Sequence, residues 1–246
     1  MAETDPHVMQ IAAILLSLRF WFRKVEKVYA GANMFLYYQK GNPKRRIAPD
    51  VFVAWGVGKH PRRSYKLWEE EHAPQVVFEI TSRKTQEEDL GKKRLIYAQI
   101  GVAEYYLFDP FAQYLQPPLR GYQLIRDEYA PRTVETLVPP AMADDETRTL
   151  AASAASQGWR LTSEKLRLEL WALATGEPLR PYVLRFYDRA AEKWLIDPEQ
   201  ALVERESLAT QAREAEAHWR EAEERASRLE AELSKLRAEK TPERDA

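Results

Sequence analysis

Residues 75–80 read Gln-Val-Val-Phe-Glu-Ile. Successive side chains of a strand point to opposite faces, so a run that is apolar at almost every position has to be covered on both sides. This stretch is therefore expected to be a central strand, and it restricts the fold to a sheet with layers on both faces. Glu79 interrupts it. Burying a carboxylate alone costs several kcal/mol or shifts its pKa upward, so Glu79 needs a metal, a cation or hydrogen-bond donors. The plain alternative is a glutamate at the exposed end of the strand, just before Thr81 and Ser82.

A second polar residue stands where an apolar one belongs. A helix is expected over residues 86–100, ending at Gly101, and on it Leu90, Ile96, Tyr97 and Ile100 mark one apolar sector. At about 100° per residue, Lys93 falls near the middle of that sector, while Lys92 and Arg94 fall outside it. Lysine is almost never fully buried without a partner, so an inward ammonium beside a strand carrying Glu79 points to one cluster. Asp89 lies one turn earlier on the same side, and an ordinary i,i+4 Asp–Lys pair has equal weight. Pro49-Asp50 opens another strand, the proline fixing the entry and the carboxylate following it.

The remaining organisation follows from breakers and periodicity. Asp5-Pro6 starts an amphipathic helix carrying Ile11, Ile14, Leu15, Leu18, Phe22 and Val25. Strands are expected at residues 34–38, 51–55, 75–80 and 104–109, with an edge strand over 122–125. The order helix, strand, strand, strand, helix, strand describes a mixed α/β (α+β) domain over residues 1–140. Residues 141–198 read as a linker with a helical or strand extension, and within them 161–194 as cover for one sheet edge. From residue 199 to about 240 the chain reads as a coiled coil, with Leu208, Ala215, Ala222, Leu229 and Leu236 at d and Ala212, Trp219, Ala226 and Leu233 at a. Its alanine-rich seam makes the pairing weak or intramolecular, so a homodimer or another coiled-coil partner is a hypothesis.

Charge is nearly balanced overall, yet residues 40–94 carry 13 bases against 8 acids, the footprint that a phosphate backbone favours. Ordinary solvated charge is the commoner meaning of such a run. There is no cysteine, which excludes disulfides and thiolate metal sites. No segment reads as an export signal or a membrane span, so a cytoplasmic protein with no membrane attachment is expected.

Four stretches carry a resemblance to a known family. They are Ala48-Pro-Asp-Val51, Val77-Phe-Glu-Ile-Thr-Ser82, Asp89-Leu-Gly-Lys-Lys-Arg-Leu-Ile-Tyr97 and Gly101-Val-Ala-Glu-Tyr-Tyr-Leu-Phe-Asp-Pro110. Together with the element order they resemble the PD-(D/E)XK nuclease superfamily, and within it the Uma-two group of restriction-endonuclease-like proteins. The resemblance implies a restriction-endonuclease-like core and a Mg²⁺-dependent (or Mn²⁺-dependent) endonuclease acting on DNA. It implies that Asp50, Glu79 and the carbonyl of Ile80 hold the metal. The superfamily's lysine would stand two residues after the glutamate, where this chain has Thr81. In the Uma-two group it is moved to the helix, at the position of Lys93, the residue that periodicity also turns inward. Asp50, Glu79 and Lys93 are thus the expected catalytic set, with Asp89 and Ser82 accessory. Ser82 is expected to cap the helix rather than bind phosphate, and His7 to be a packed or surface residue. The alternative is a catalytically inactive protein of the same fold that binds DNA or protein through its basic strip and coiled coil.

Overall fold

Asp5 and Pro6 open α1 (Asp5–Trp21), with the acid in the first turn and the proline where no backbone donor is lost. Ile11, Ile14 and Leu18 form its buried stripe and Phe22 extends it, whereas Val25 lies past the helix and is exposed. The computed structural model describes residues 5–140 and 157–239. The chain divides into two compact units, Met1–Pro198 and Glu199–Ala246.

In the first unit α1 is followed by β1 (Val28–Ala32), β2 (Leu36–Tyr37), β3 (Arg46–Ile47), β4 (Val51–Trp55), β5 (Tyr65–Lys66), α2 (Leu67–Glu70) and β6 (Val76–Ile80). A helical stretch comes next, made of α3 (Gln86–Glu88), a π-helical segment (Asp89–Lys93) and α4 (Arg94–Gln99). Then come β7 (Glu104–Phe108), β8 (Leu119–Ile125), β9 (Glu128–Pro131), β10 (Glu135–Leu137), β11 (Gly158–Ser163), β12 (Leu168–Glu177), β13 (Arg180–Asp188) and β14 (Lys193–Trp194). The principal sheet runs β1-β4-β6-β7-β8-β9, with β6 and β7 parallel and every other neighbour antiparallel. All five residues of β6 and of β7 are buried, as expected of strands covered on both faces.

Two apolar layers cover that sheet. Val51, Val53, Val76, Phe78 and Ile80 face α1, while Phe52, Ala54, Val77 and Leu107 lie with Tyr97 of α4. Gly101, at φ +82°, ends the helical stretch in the left-handed conformation expected of a C-terminal glycine. The sheet also contains a strand that the aromatic run 34–38 obscured. That run contributes only the two residues of β2, in a small sheet β3-β2-β5, and the strand paired with β4 is β1. Val-Tyr-Ala-Gly-Ala is a weak strand sequence because glycine and alanine disfavour strands. Its glycine has a packing reason: Gly31 pairs with Phe52, and a Cβ there would come within 2.6 Å of the Phe52 ring.

Residues 158–194 take the strand form of the expected helical or strand extension, but lie over a face of the principal sheet and not at its edge. They contain no helix, and with β10 they build a second antiparallel sheet, β10-β11-β12-β13-β14. This sheet covers a face of the principal sheet, where Phe186 meets Phe78 edge-on at 5.8 Å. Leu161, Leu168, Leu170 and Leu184 join the α1 layer. The expected linker falls mainly on residues 141–156, outside the described residues.

A buried carboxylate ties the two sheets together. Glu104, at the start of β7, is fully buried and accepts from the amides of Glu164 (2.9 Å) and Lys165 (3.1 Å), the hydroxyl of Tyr106 (3.1 Å) and the hydroxyl of Ser163. Truncation to Glu104→Ala strands those donors, each costing about 1–3 kcal/mol. The expected result is a chemical-denaturation midpoint lowered by several kcal/mol of stability. An unchanged midpoint would show that the donors find water instead.

The second unit is described by α5 (Pro198–Glu239), a single helix of 42 residues whose described side chains are almost all exposed. No described helix is long and apolar enough to cross a membrane.

Candidate active site

The register of β4 against β6 brings the two expected acids together. Val51 pairs with Phe78, so one step further Asp50 stands opposite Glu79. Both side chains leave the sheet on the face of Phe52 and Val77, toward the helical stretch. Directly opposed residues of antiparallel strands have Cβ atoms roughly 4.5–5.5 Å apart, which puts two carboxylates within reach of a common charge.

One more step along the register sets Ile80 opposite Pro49. The Thr81 amide donates to Phe108 of β7, so the amide and carbonyl of Ile80 face β4 instead. Proline has no N–H, and β4 therefore offers the Ile80 carbonyl no ladder bond. The Ile80 amide is satisfied by Asp50, which accepts from it through Oδ2 at 2.7 Å. The proline thus ends the ladder and leaves a carbonyl oxygen beside an aspartate.

Glu79 is fully buried and both its oxygens are engaged. Lys93 Nζ donates to Oε2 at 2.8 Å and the Tyr97 hydroxyl to Oε1 at 2.6 Å. Burial raises the Glu79 carboxyl well above its usual range; Lys93 opposes that rise, and the neighbouring charges of Asp50 and Asp89 add to it. Burial alone would lower the Lys93 ammonium, but Glu79 and Asp89 outweigh it and hold its pKa above the ordinary lysine value. Lys93 is therefore charged at neutral pH.

Asp89 completes the cluster, its Oδ1 lying 2.9 Å from Lys93 Nζ. It is fully buried, neither of its oxygens makes a well-formed hydrogen bond, and burial raises its pKa. Asp89 and Lys93 are the first and last residues of the π-helical segment. Beside that segment the Tyr105 hydroxyl donates to the Asp89 carbonyl at 2.9 Å, an outside group entering the helical ladder where it is distorted. Such π segments are frequent at functional sites.

Asp50, Glu79, Lys93, Asp89 and Ile80 are thus gathered at one end of the sheet. Ser82 is not part of that cluster. Its hydroxyl meets the Thr85 hydroxyl at 3.2 Å, and no helix amide donates to it among the described residues, so it does not act as the expected cap. Two other residues were not expected. Tyr97 holds Glu79, a role its position four residues after Lys93 on the same helix face could have suggested. His7 is buried in α1, with Nε2 3.6 Å from Asp50 Oδ2, a contact that only the tertiary fold creates.

A divalent cation would find oxygen donors here: the carboxylates of Asp50 and Glu79 and the Ile80 carbonyl. Among the described residues no group of three or more His, Asp or Glu side chains is arranged to hold an ion. Carboxylates and a carbonyl are oxygen donors of the kind that hard divalent cations take.

Residues 1–164 match the Uma2 family, described as "Putative restriction endonuclease". No curated protein matches the chain. Solved structures similar to it include that of a "putative nuclease belonging to DUF820" from Anabaena variabilis, 14% identical, with a TM-score of 0.41, covering 60% of this chain and 75% of that one. The family match takes in 164 of 246 residues, including both sheet acids and the helix lysine, and the chain belongs to the Uma2 family of restriction-endonuclease-like proteins.

Proposed function

We propose that this protein is a metal-dependent endonuclease that hydrolyses phosphodiester bonds in DNA. The observation that carries the reading is the opposition of Asp50 and Glu79 across β4 and β6, with the charged Lys93 2.8 Å from Glu79. Hydrolysis adds a water oxygen to phosphorus and breaks the bond to the leaving sugar oxygen, which takes up a proton. A divalent cation such as Mg²⁺ or Mn²⁺ bound by Asp50, Glu79 and the Ile80 carbonyl would neutralise phosphate charge and acidify a water. Lys93 keeps its proton and so serves as a positive charge and donor toward phosphate oxygens or the attacking water, not as a base. Tyr97 and Asp89 position Glu79 and Lys93. The basic hairpin supports a polyanionic substrate. Lys40, Lys44, Arg45 and Arg46 are exposed and form no ion pair among the described residues, and β3 leads within three residues to Asp50.

One observation favours the alternative, a catalytically inactive DNA- or protein-binding module. Both Glu79 oxygens are already satisfied by Lys93 and Tyr97, so the cluster is closed without a metal. Incubating purified protein with supercoiled DNA separates the two readings. The expected result is nicking or linearisation with Mg²⁺ or Mn²⁺ that stops with EDTA and is lost in Asp50→Ala and Glu79→Ala. Binding without cleavage under every divalent ion would establish the alternative.

A further inference from the structure

We infer that α5 pairs with α5 of a second copy of this chain as a parallel, in-register, two-stranded coiled coil. The described side chains at its seam are uncovered: Leu208 is 58% exposed, Trp219 65%, Leu229 52% and Leu233 53%. An apolar stripe of heptad period whose described leucines and tryptophan are exposed calls for another helix, and the charges flanking the stripe decide which one.

With Leu208 and Leu229 at d and Trp219 and Leu233 at a, His218, Arg225 and Glu232 occupy g, and Glu216, Glu223 and Glu230 occupy e. In a parallel pair each g residue meets the e residue five positions further along the second helix. That opposes His218 with Glu223 of the second copy and Arg225 with Glu230 of the second copy. Glu232 is followed at the same interval by arginine in the sequence. Two of the three combine arginine with glutamate, and none sets like charges together.

In an antiparallel pair e faces e instead, and the e positions Glu216, Glu223 and Glu230 are all acidic. Like charges at those positions oppose association, so the pattern selects orientation as well as partner.

The helix leaves these groups available. Its internal ion pairs, Arg220 with Glu216 and Arg228 with Glu224, employ arginines on the outer positions. His218, Glu223, Arg225 and Glu230 take part in no ion pair among the described residues. A second copy also presents the same seam to itself, the symmetric solution that closes an interface.

The inference does not depend on the proposed activity, and two measurements on the full chain test it. Sedimentation equilibrium is expected to show a dimer. Arg225→Glu should weaken it by about tenfold and the double variant Arg225→Glu/Glu230→Arg should restore it, because the reversed pair is complementary again. For orientation, the chain has no cysteine, so Leu208→Cys introduces a single thiol far from the helix centre. A parallel in-register pair places the two thiols together, and oxidised glutathione should convert most of that variant to a disulfide-linked dimer. A monomeric wild-type chain, or a dimer whose Leu208→Cys variant resists cross-linking, would overturn the proposal.

Discussion

With the proposed nuclease activity, Asp50→Asn is expected to leave a folded protein that cleaves DNA about a thousandfold more slowly than the native chain. Asparagine keeps a side-chain oxygen that can accept from the Ile80 amide, the bond that Asp50 makes at 2.7 Å. It removes only the charge that faces Glu79 across the two strands. Asp50→Ala would remove the acceptor as well and add about 1–3 kcal/mol of instability to the same loss of activity. Comparing the two variants by melting and by nicking rate separates the group's structural bond from its chemistry. Cleavage that survives Asp50→Asn in a protein of native stability would take Asp50 out of the active site. Loss of cleavage accompanied by a collapsed melting transition would assign it to the fold.

The second large effect belongs to Lys93. It contacts both Glu79 and Asp89, at 2.8 Å and 2.9 Å, and both carboxylates are buried. Lys93→Met keeps the volume of the stem and deletes the charge, leaving two carboxylates without compensation. Breaking a buried pair in this way costs about 3–5 kcal/mol at neutral pH.

The cost should depend on pH with a definite sign. Burial raises both carboxyls above their usual range, so the folded variant binds their protons more readily than the unfolded chain does. Its stability should therefore recover as pH falls into the ordinary carboxylate range and worsen as pH rises through the raised folded-state values. In the native protein the contribution of Lys93 itself is present at neutral pH and fades only above the ordinary lysine range, because its own pKa is raised. Denaturant titrations of both proteins at acidic and neutral pH measure the difference. A Lys93→Met penalty that is the same at every pH would mean that the carboxylates are not charged in the folded state.

Much of this cluster was legible beforehand because it depends on local rules. Helical periodicity alone turns Lys93 inward and puts Asp89 on its side. The apolar run around Glu79 makes the strand central, and Pro49 marks where a ladder must stop. What local rules could not supply is which strand lies beside which. β1 was hidden because Ala30, Gly31 and Ala32 dilute the strand signal of Val28 and Tyr29, and the reason for the glycine is the Phe52 ring packed over it. The second sheet was hidden for another reason. Leu168–Glu177 mixes an apolar run with Glu169, Thr175, Gly176 and Glu177 and sustains neither a two-residue nor a helical period. His7 lies more than forty residues from Asp50 in sequence, and no pattern within α1 distinguishes a histidine packed in a core from one beside a carboxylate.

β6 acts as a partition between two kinds of constraint. Phe78 and Ile80 look toward α1 and the second sheet, while Val77 and Glu79 look toward α4 and the acidic cluster. Adjacent residues of a single strand thus answer to different demands, one side to apolar packing and the other to a cluster of buried charges. Variation on the Phe78 side can be absorbed by compensating changes in the leucines and phenylalanines opposite, with heat tolerance as the quantity at stake. Variation on the Glu79 side has no comparable partner to adjust. A chain built this way can drift in robustness while its buried charge cluster stays fixed, and a laboratory selection for thermal tolerance should collect its substitutions on one face of the sheet.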